Sequence, residues 1–333
     1  METKAFSNRN MGIPYISPVL EEIEDAVEKW GDPRTRYWFM LFGNPIPVWL
    51  LTIAYLVFVV YAGPRYMKNR KPYSLQTFMV VYNIGLVILS IYMFFEFMLS
   101  TSAAGYNWLC SPYNQNTWKD PREMRVANVM WYYGISKAIE LMDTVLMILR
   151  KKDAQVTFLH VFHHATMLNI WWWVPTFTPG GQTWFGSCLN CLVHIVMYSY
   201  YGLAVIPSLR DKLWWKKYIT SFQLIQFVIT FSHTAQTYFS DCDFPMWGQY
   251  LLGGYMIIML ILFGNFYIQS YIMKKKNRRD QAKRNEAANG YKSNTYIKNG
   301  SHSNKINSKQ VDDNVTNGNY IVNGHSNGVI KRH

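Results

Sequence analysis

Charged residues are scarce in this chain, and most of its net charge lies at one end. Only 16% of the 333 residues are charged, yet the formal net charge is +13. Residues 274–333 hold thirteen Lys and Arg against four Asp and Glu, which gives this segment a net charge of +9. The composition therefore does not indicate a nucleic-acid-binding domain. The segment also has twelve Asn and few apolar residues, so we expect a disordered basic tail over 274–333.

Histidine and cysteine are also few, and their numbers limit the possible chemistry. Three of the eight His lie in the tail, which leaves five for a metal centre. A histidine-rich desaturase or hydroxylase is therefore kept only as an alternative, together with a single metal held by Asp143, His163 and His194. We expect no metal and no cofactor. Cys188 and Cys191 have no evident cationic neighbour that would activate a thiolate, so we expect them to pack in the core.

Apolar residues are grouped into seven stretches, each long enough to cross a bilayer. About 20 residues are needed to cross the hydrocarbon core. The stretches cover residues 46–62, 76–99, 127–149, 157–175, 184–206, 217–238 and 247–273. We predict an all-α integral membrane protein with seven transmembrane helices within residues 44–273. Residues 1–43 precede them as a segment with one short amphipathic helix, which starts at Ser17 and ends before Gly31.

The distribution of Lys and Arg among the loops predicts the orientation. The loops after the first, third and fifth stretches are basic, as is the tail, whereas the loops after the fourth and sixth contain no Lys or Arg. Cytosolic loops collect basic residues, so we expect a lumenal N-terminus and a cytosolic C-terminus. Cys110 and Cys242 then both lie in lumenal loops. Disulfides persist in that compartment, and we predict a bond between these two residues.

Polar side chains interrupt four of the seven stretches at a similar depth. Ionisable groups inside a membrane are costly, and each one suggests a functional role. At 1.5 Å per residue, most of these side chains fall roughly 5–20 Å below the cytosolic surface. We therefore expect a polar chamber that opens to the cytosol. The residues concerned are Lys137, Glu140 and Asp143; His160, His163 and His164; Asn190, His194, Tyr198 and Tyr201; and Gln223 and Gln226.

Two of these groups have alternative interpretations. Residues 160, 163 and 164 place imidazoles on one helix face, which is typical of a metal site or of acid–base and nucleophilic chemistry. The charges at 137, 140 and 143 share a face at a spacing of three, and a structural ion pair is the alternative to a functional role. A seven-span transporter or receptor is a further alternative for the whole chain.

Four motifs together resemble those of the fatty acid elongases, the "elongation of very long chain fatty acids" proteins. They are His-x-x-His-His at 160–164, Lys-x-x-Glu-x-x-Asp-Thr at 137–144, the run Asn190–Tyr201, and Thr-x-x-Gln-x-x-Gln at 220–226. The resemblance covers roughly residues 30–275 and looks closest to the protein 4-like branch, which acts on the longest chains. It implies a helical barrel around a narrow acyl tunnel, in the endoplasmic reticulum membrane.

The resemblance also implies an activity, a 3-oxoacyl-CoA synthase. Such an enzyme condenses long-chain or very-long-chain acyl-CoA with malonyl-CoA and releases CO2 and CoA. The expected partners are the ketoacyl-CoA reductase, the dehydratase and the enoyl reductase of the elongation cycle, and a second copy of the chain.

Roles for the individual residues follow from the resemblance. His163 is expected to take the acyl group as an acyl-imidazole, while His160 and His164 orient it or exchange protons. Asp143 or Glu140 would set the tautomer, and Asn190 and His194 would stabilise the malonyl enolate. The residues expected to bind substrate are Lys137, Gln223, Gln226, Tyr198 and Tyr201.

Overall fold

The computed structural model describes residues 17–40, 43–281 and 284–285, and every regular element in these residues is helical. The predicted all-α class is confirmed. The α-helices are α1 (Ser17–Trp30), α2 (Ile46–Val57), α3 (Gly63–Met67), α4 (Gln76–Ala103), α5 (Pro121–Glu140), α6 (Met142–Leu149), α7 (Phe158–Phe177), α8 (Thr183–Val205), α9 (Pro207–Arg210), α10 (Lys216–Gln236) and α11 (Met246–Tyr267). π-helical turns at Phe58–Ala62 and Ile268–Met273 follow α2 and α11.

The two ends of the chain are described only in part. The amphipathic helix predicted in the N-terminal segment is α1, and residues 1–16 lie outside the described residues. Residues 274–281 are helical although they belong to the predicted tail. Apart from residues 284–285, the rest of that tail lies outside the described residues, and its predicted disorder stays a prediction.

Within the described residues, four helical stretches are long and apolar enough to cross a membrane: Ile46–Met67, Gln76–Ala103, Thr183–Val205 and Met246–Gln281. On α4, large apolar side chains such as Ile84, Ile88 and Phe95 are exposed. An exposed apolar face of this length is typical of contact with lipid. The chain is therefore a multi-pass membrane protein. The other predicted spans coincide with α5–α6, α7 and α10, and the count of seven stays a prediction.

Six helices form a closed series of neighbours. α4 packs against α5 and α8, α5 against α7, α8 against α10, α10 against α11, and α11 against α7. Gly134 permits the close approach of α5 to α7, because a Cβ atom there would lie 3.2 Å from the carbonyl oxygen of Trp171. Tyr133 and Trp171 consequently meet edge to face, with ring centres 4.3 Å apart. The polar residues of the predicted chamber lie on these helices.

The predicted third span is interrupted at Leu141. α5 ends at Glu140 and α6 begins at Met142, and the Leu141 N–H donates to the carbonyl three residues earlier at 3.3 Å. The regular spacing of three predicted one common face for Glu140 and Asp143. The interruption lies between them, and their side chains have different partners.

One end of the helix bundle is cross-linked. The predicted Cys110–Cys242 disulfide is present, with Cα atoms 5.6 Å apart, and joins the loops that follow α4 and α10. Nearby, the Asp32 N–H donates to the Thr176 carbonyl at 2.9 Å, and the Tyr113 hydroxyl donates to the Asp32 carboxylate at 2.6 Å. The segment after α1 is thereby attached to the C-terminal end of α7. We call this end of the bundle the disulfide end.

Replacing both Cys110 and Cys242 by Ser should lower the free energy of unfolding by about 2–4 kcal/mol, because the bond closes a long loop in the unfolded chain. The two residues are 132 positions apart. The measurement is the temperature at which the detergent-solubilised protein loses its monodisperse peak. The bond itself is tested by electrophoresis with and without reductant. Cys188→Ala is the control for this test, since Cys188 is a free, buried thiol. Equal mobility of the parent with and without reductant would contradict the bond.

Candidate active site

A buried ion pair on α5 lies at the centre of the site. Lys137 Nζ donates to Glu140 Oε1 at 2.8 Å, and each side chain is only 3% exposed. Lys137 Nζ also lies 4.2 Å from the centre of the Tyr133 ring, and Ser136 Oγ donates to the same Glu140 oxygen at 3.2 Å. Mutual attraction and the hydrogen bond from Ser136 repay part of the cost of removing both charges from water. The ion pair considered above as the alternative is therefore present.

Glu140 also orients His194 on α8. His194 Nδ1 lies 3.3 Å from Glu140 Oε1. An ionised carboxylate only accepts hydrogen bonds, so Nδ1 carries the hydrogen. In the neutral ring Nε2 is then unprotonated and can accept a proton.

Asn190, also on α8, connects this pair to α10. Its Oδ1 accepts the Tyr133 hydroxyl at 2.6 Å and Lys137 Nζ at 3.3 Å. Its Nδ2 donates to Gln226 Oε1 at 3.4 Å. Because two donors point at the same end of the Asn190 amide, that end is the oxygen, Oδ1. The N–H2 group is left on the side of Gln226, where it can donate to a negatively charged oxygen.

His163 on α7 is held by a tyrosine of α11. The Tyr255 hydroxyl lies 3.3 Å from His163 Nδ1 and 2.9 Å from Thr166 Oγ1. Thr166 donates its own hydrogen to the Phe162 carbonyl at 2.7 Å. Each hydroxyl has one hydrogen, so Tyr255 donates to Thr166 and accepts from His163. This arrangement places the hydrogen of His163 on Nδ1 and leaves Nε2 with a free electron pair.

The other two histidines of the 160–164 motif have different contacts. His160 Nε2 lies 3.0 Å from Thr144 Oγ1, which in turn lies 2.8 Å from the Tyr55 hydroxyl. The His164 ring lies between the others, with its centre 4.4 Å from that of His160 and 5.6 Å from that of His163. The rings of His160 and His163 thus each contact His164, and these two histidines have different hydrogen-bond partners.

The remaining predicted residues surround this network. Asp143 accepts the Tyr198 hydroxyl at 2.8 Å, and Tyr201 stands edge-on to Tyr198 with ring centres 6.0 Å apart. Gln223 Nε2 lies 3.5 Å from Met197 Sδ. Among the hydrogen bonds of the described residues, none joins Asp143 or Glu140 to the histidines at 160, 163 and 164. Thr144 and Tyr255 make those contacts instead.

An elongated cavity extends from the site toward the disulfide end. It lies between α5, α7, α8, α10 and α11, and its accessible volume is about 60 Å³. Polar residues line it near the network, namely His163, Asn190 and Gln226. Apolar and aromatic side chains line most of its length, and Thr178 and Trp247 lie at the far end. The site can therefore present His163 and Asn190 to the head of a long apolar molecule.

Three residues of the site were not expected from the sequence. Tyr133 and Tyr255 hold Asn190 and His163, and Trp171 lines the cavity. Tyr133 lies one turn before Lys137, a spacing that could have drawn attention to it. Tyr255 is one of a few scattered polar side chains on the long apolar helix α11, and no periodic pattern marks it. Trp171 lies in a run of three Trp that is equally typical of a membrane-interface belt.

The expected packing of Cys188 and Cys191 is confirmed, and His233 also packs outside the site. Cys188 and Cys191 are free and buried. His233 stacks on Phe185 with ring centres 3.9 Å apart and lies 2.8 Å from the Trp108 carbonyl oxygen. Within the described residues, no three His, Cys, Asp or Glu side chains converge on a position that could hold a metal ion.

Fold and site together define a class: a multi-pass membrane protein with a buried histidine, carboxylate and amide network at the head of an apolar cavity. The family model described as ELO: GNS1/SUR4 family matches residues 40–279, and the chain belongs to this family.

Relatives of known name agree with this assignment. Very long chain fatty acid elongase 5 of Xenopus tropicalis is 47% identical over 257 residues, which cover 77% of this chain and 85% of the relative. Elongase 5 of Homo sapiens is 46% identical over 248 residues, 74% of this chain and 81% of the relative. Elongase 2 of Rattus norvegicus is 45% identical over 262 residues, 78% and 92% of the two chains. The resemblance to elongases is confirmed, whereas these relatives give no support to placement in the protein 4-like branch.

Proposed function

We propose that this protein is a very-long-chain 3-oxoacyl-CoA synthase, which condenses a long-chain acyl-CoA with malonyl-CoA. The family and the names of the relatives support this activity. The observation that carries the proposal is the cavity, because it joins His163 to a long apolar space. A space of this kind suits the hydrocarbon chain of a fatty acid and leaves its thioester beside the polar network.

In the first step, His163 Nε2 attacks the thioester carbonyl of the acyl-CoA. An N–C bond forms, the C–S bond breaks, and CoA leaves as a thiolate that takes up one proton. The contact between Tyr255 and His163 Nδ1 keeps the electron pair on Nε2, where the attack needs it. Nucleophilic catalysis divides one difficult condensation into two easier steps.

In the second step, malonyl-CoA loses CO2, and the electron pair of the broken C–C bond forms an enolate. The enolate carbon attacks the acyl-imidazole carbonyl, a C–C bond forms, and His163 leaves. Asn190 Nδ2 donates to the enolate oxygen, because its Oδ1 is already occupied by Tyr133 and Lys137. His194, held by Glu140, exchanges the proton that the cycle consumes. Lys137 acts here by positioning Asn190.

The proposal includes seven spans, a barrel of helices around an acyl tunnel, and residence in the endoplasmic reticulum membrane. Seven helical stretches occupy the predicted spans, and a helix of 20 residues such as α5 is roughly 30 Å long. The disulfide supports placing its end of the bundle in the lumen. The basic loops then face the cytosol, where CoA and the reductases and dehydratase of the cycle meet the site.

The test is condensing activity in microsomes from cells that express the chain, measured with labelled malonyl-CoA and a series of acyl-CoA lengths. We expect labelled 3-oxoacyl-CoA two carbons longer than the primer, and no requirement for reduced nicotinamide. Microsomes without the chain are the control. Absence of labelled product at every primer length would refute the proposed activity.

Replacing Tyr255 by Phe should reduce kcat roughly three- to tenfold, because losing one hydrogen bond lets both tautomers of His163 form. The KM for acyl-CoA should change little, since the ring still packs in the same space. Tyr250→Phe on the exposed side of α11 is the matched control. A change confined to KM, or an equal change in both variants, would show that Tyr255 does not set the tautomer.

A further inference from the structure

Buried hydroxyls on the helices of this bundle have hydrogen-bond partners almost throughout. The usual partner is the carbonyl one turn earlier on the same helix. This is so for Thr101, Thr176, Ser187 and Thr234, at distances from 2.6 to 2.9 Å. A buried hydroxyl without a partner is costly, so such pairing is expected in a membrane protein.

Thr178 and Thr230 depart from this pattern. Each is only 2% exposed, and the Oγ1 atom of each has no partner among the described residues. Both residues line the long cavity. Thr230 has a carbonyl one turn earlier on α10, at Gln226, but does not donate to it. Two unpaired donors thus lie along a space whose other walls are mainly apolar.

The position of Thr178 indicates which part of a bound acyl chain it would contact. Thr178 follows α7, fifteen residues after His163, which corresponds to roughly 22 Å along the helix axis. It therefore lies at the far end of the cavity, where the last carbons of a fully inserted acyl chain would end. Thr230 lies one turn beyond Gln226 on α10 and faces Gly186 of α8, which places it along the middle of the cavity.

We propose that the cavity accepts acyl-CoA whose chain carries a hydroxyl, with a terminal hydroxyl pairing with Thr178. The inference rests on the proposed function and names a substrate class for the same site. A methyl-ended chain leaves Thr178 unpaired, whereas an ω-hydroxyl both donates to it and accepts from it. Thr230 offers the same contact to a hydroxyl nearer the middle of the chain.

The experiment compares ω-hydroxyacyl-CoA with methyl-ended acyl-CoA of equal length in microsomal condensation. The readout is the ratio of the two kcat/KM values, measured over a series of lengths for the parent, Thr178→Val and Thr176→Val. In the parent, the ratio should reach one or more at the length that contacts Thr178 and fall for shorter chains. Valine keeps the shape and removes the donor, so in Thr178→Val that ratio should drop by about tenfold.

Thr176→Val is the matched control, since Thr176 is buried two residues earlier, donates to the Trp172 carbonyl, and does not line the cavity. It should keep the parent's ratio. The proposal is overturned if the parent rejects ω-hydroxy chains at every length, or if Thr178→Val keeps the parent's ratio. Should Thr178→Val fail to fold, the length dependence in the parent decides alone. Failure of both substrate types in the parent would instead overturn the condensing activity.

Discussion

Replacing His163 by Ala should abolish condensation, with a loss of at least about a thousandfold in kcat/KM. The reason is specific to this imidazole. Its Nε2 is the unprotonated nitrogen, and it lines the cavity together with Asn190. His160 and His164 have other contacts and do not line the cavity.

The decisive measurement is the covalent intermediate. The parent incubated with acyl-CoA alone should gain the mass of one acyl group on the peptide that contains His163, and the Ala variant should not. His233→Ala is the control, because His233 packs against Phe185 at the disulfide end and does not line the cavity. An acyl group on the variant, or undiminished transfer to malonyl-CoA, would exclude His163 as the nucleophile.

Replacing Lys137 by Met should lower the free energy of unfolding by about 3–5 kcal/mol, because it removes the cationic partner of the buried Glu140 carboxylate. For a chain of this size, that corresponds to a melting temperature about 10 °C lower. The loss should include activity, since Lys137 also holds Asn190 Oδ1 at 3.3 Å. Thermal loss of the monodisperse species in detergent measures the first effect, and condensing activity measures the second.

A double variant separates charge from packing. Lys137→Met with Glu140→Gln removes both charges at nearly constant volume and should recover most of the lost stability, because neutral pairs are often tolerated where single charges are not. It should not recover activity, since His194 loses its carboxylate partner. Lys212→Met, on an exposed lysine, is the control. A Lys137→Met variant as stable as the parent would contradict the importance of the pair.

Much of this architecture could be predicted from local patterns. Seven apolar stretches located the long helices, and a shared side of the membrane was enough to pair Cys110 with Cys242. The expected polar chamber included Lys137, Glu140, Asn190 and His194, because α5 and α8 place these residues at a similar depth.

Other features depend on packing that the sequence does not display. The interruption at Leu141 has no Gly or Pro to mark it, and Glu140 and Asp143 on either side of it have different partners. Tyr255 becomes part of the site only because α11 packs against α7. Which partner each hydroxyl donates to depends on distances that differ by a few tenths of an ångström, and the spacing of residues in the sequence does not determine them.

The cross-linked end of the bundle affects how acyl chains are exchanged. The Cys110–Cys242 bond and the contact of Asp32 with the end of α7 both lie at this end, so we expect the helices to separate most easily at their opposite ends. A product two carbons longer must then leave by the route through which its precursor entered, withdrawing its full length. Each added pair of carbons lengthens that path, so release of product should slow as the chain grows. At sufficient length, the bound product should prevent the next acyl-CoA from entering.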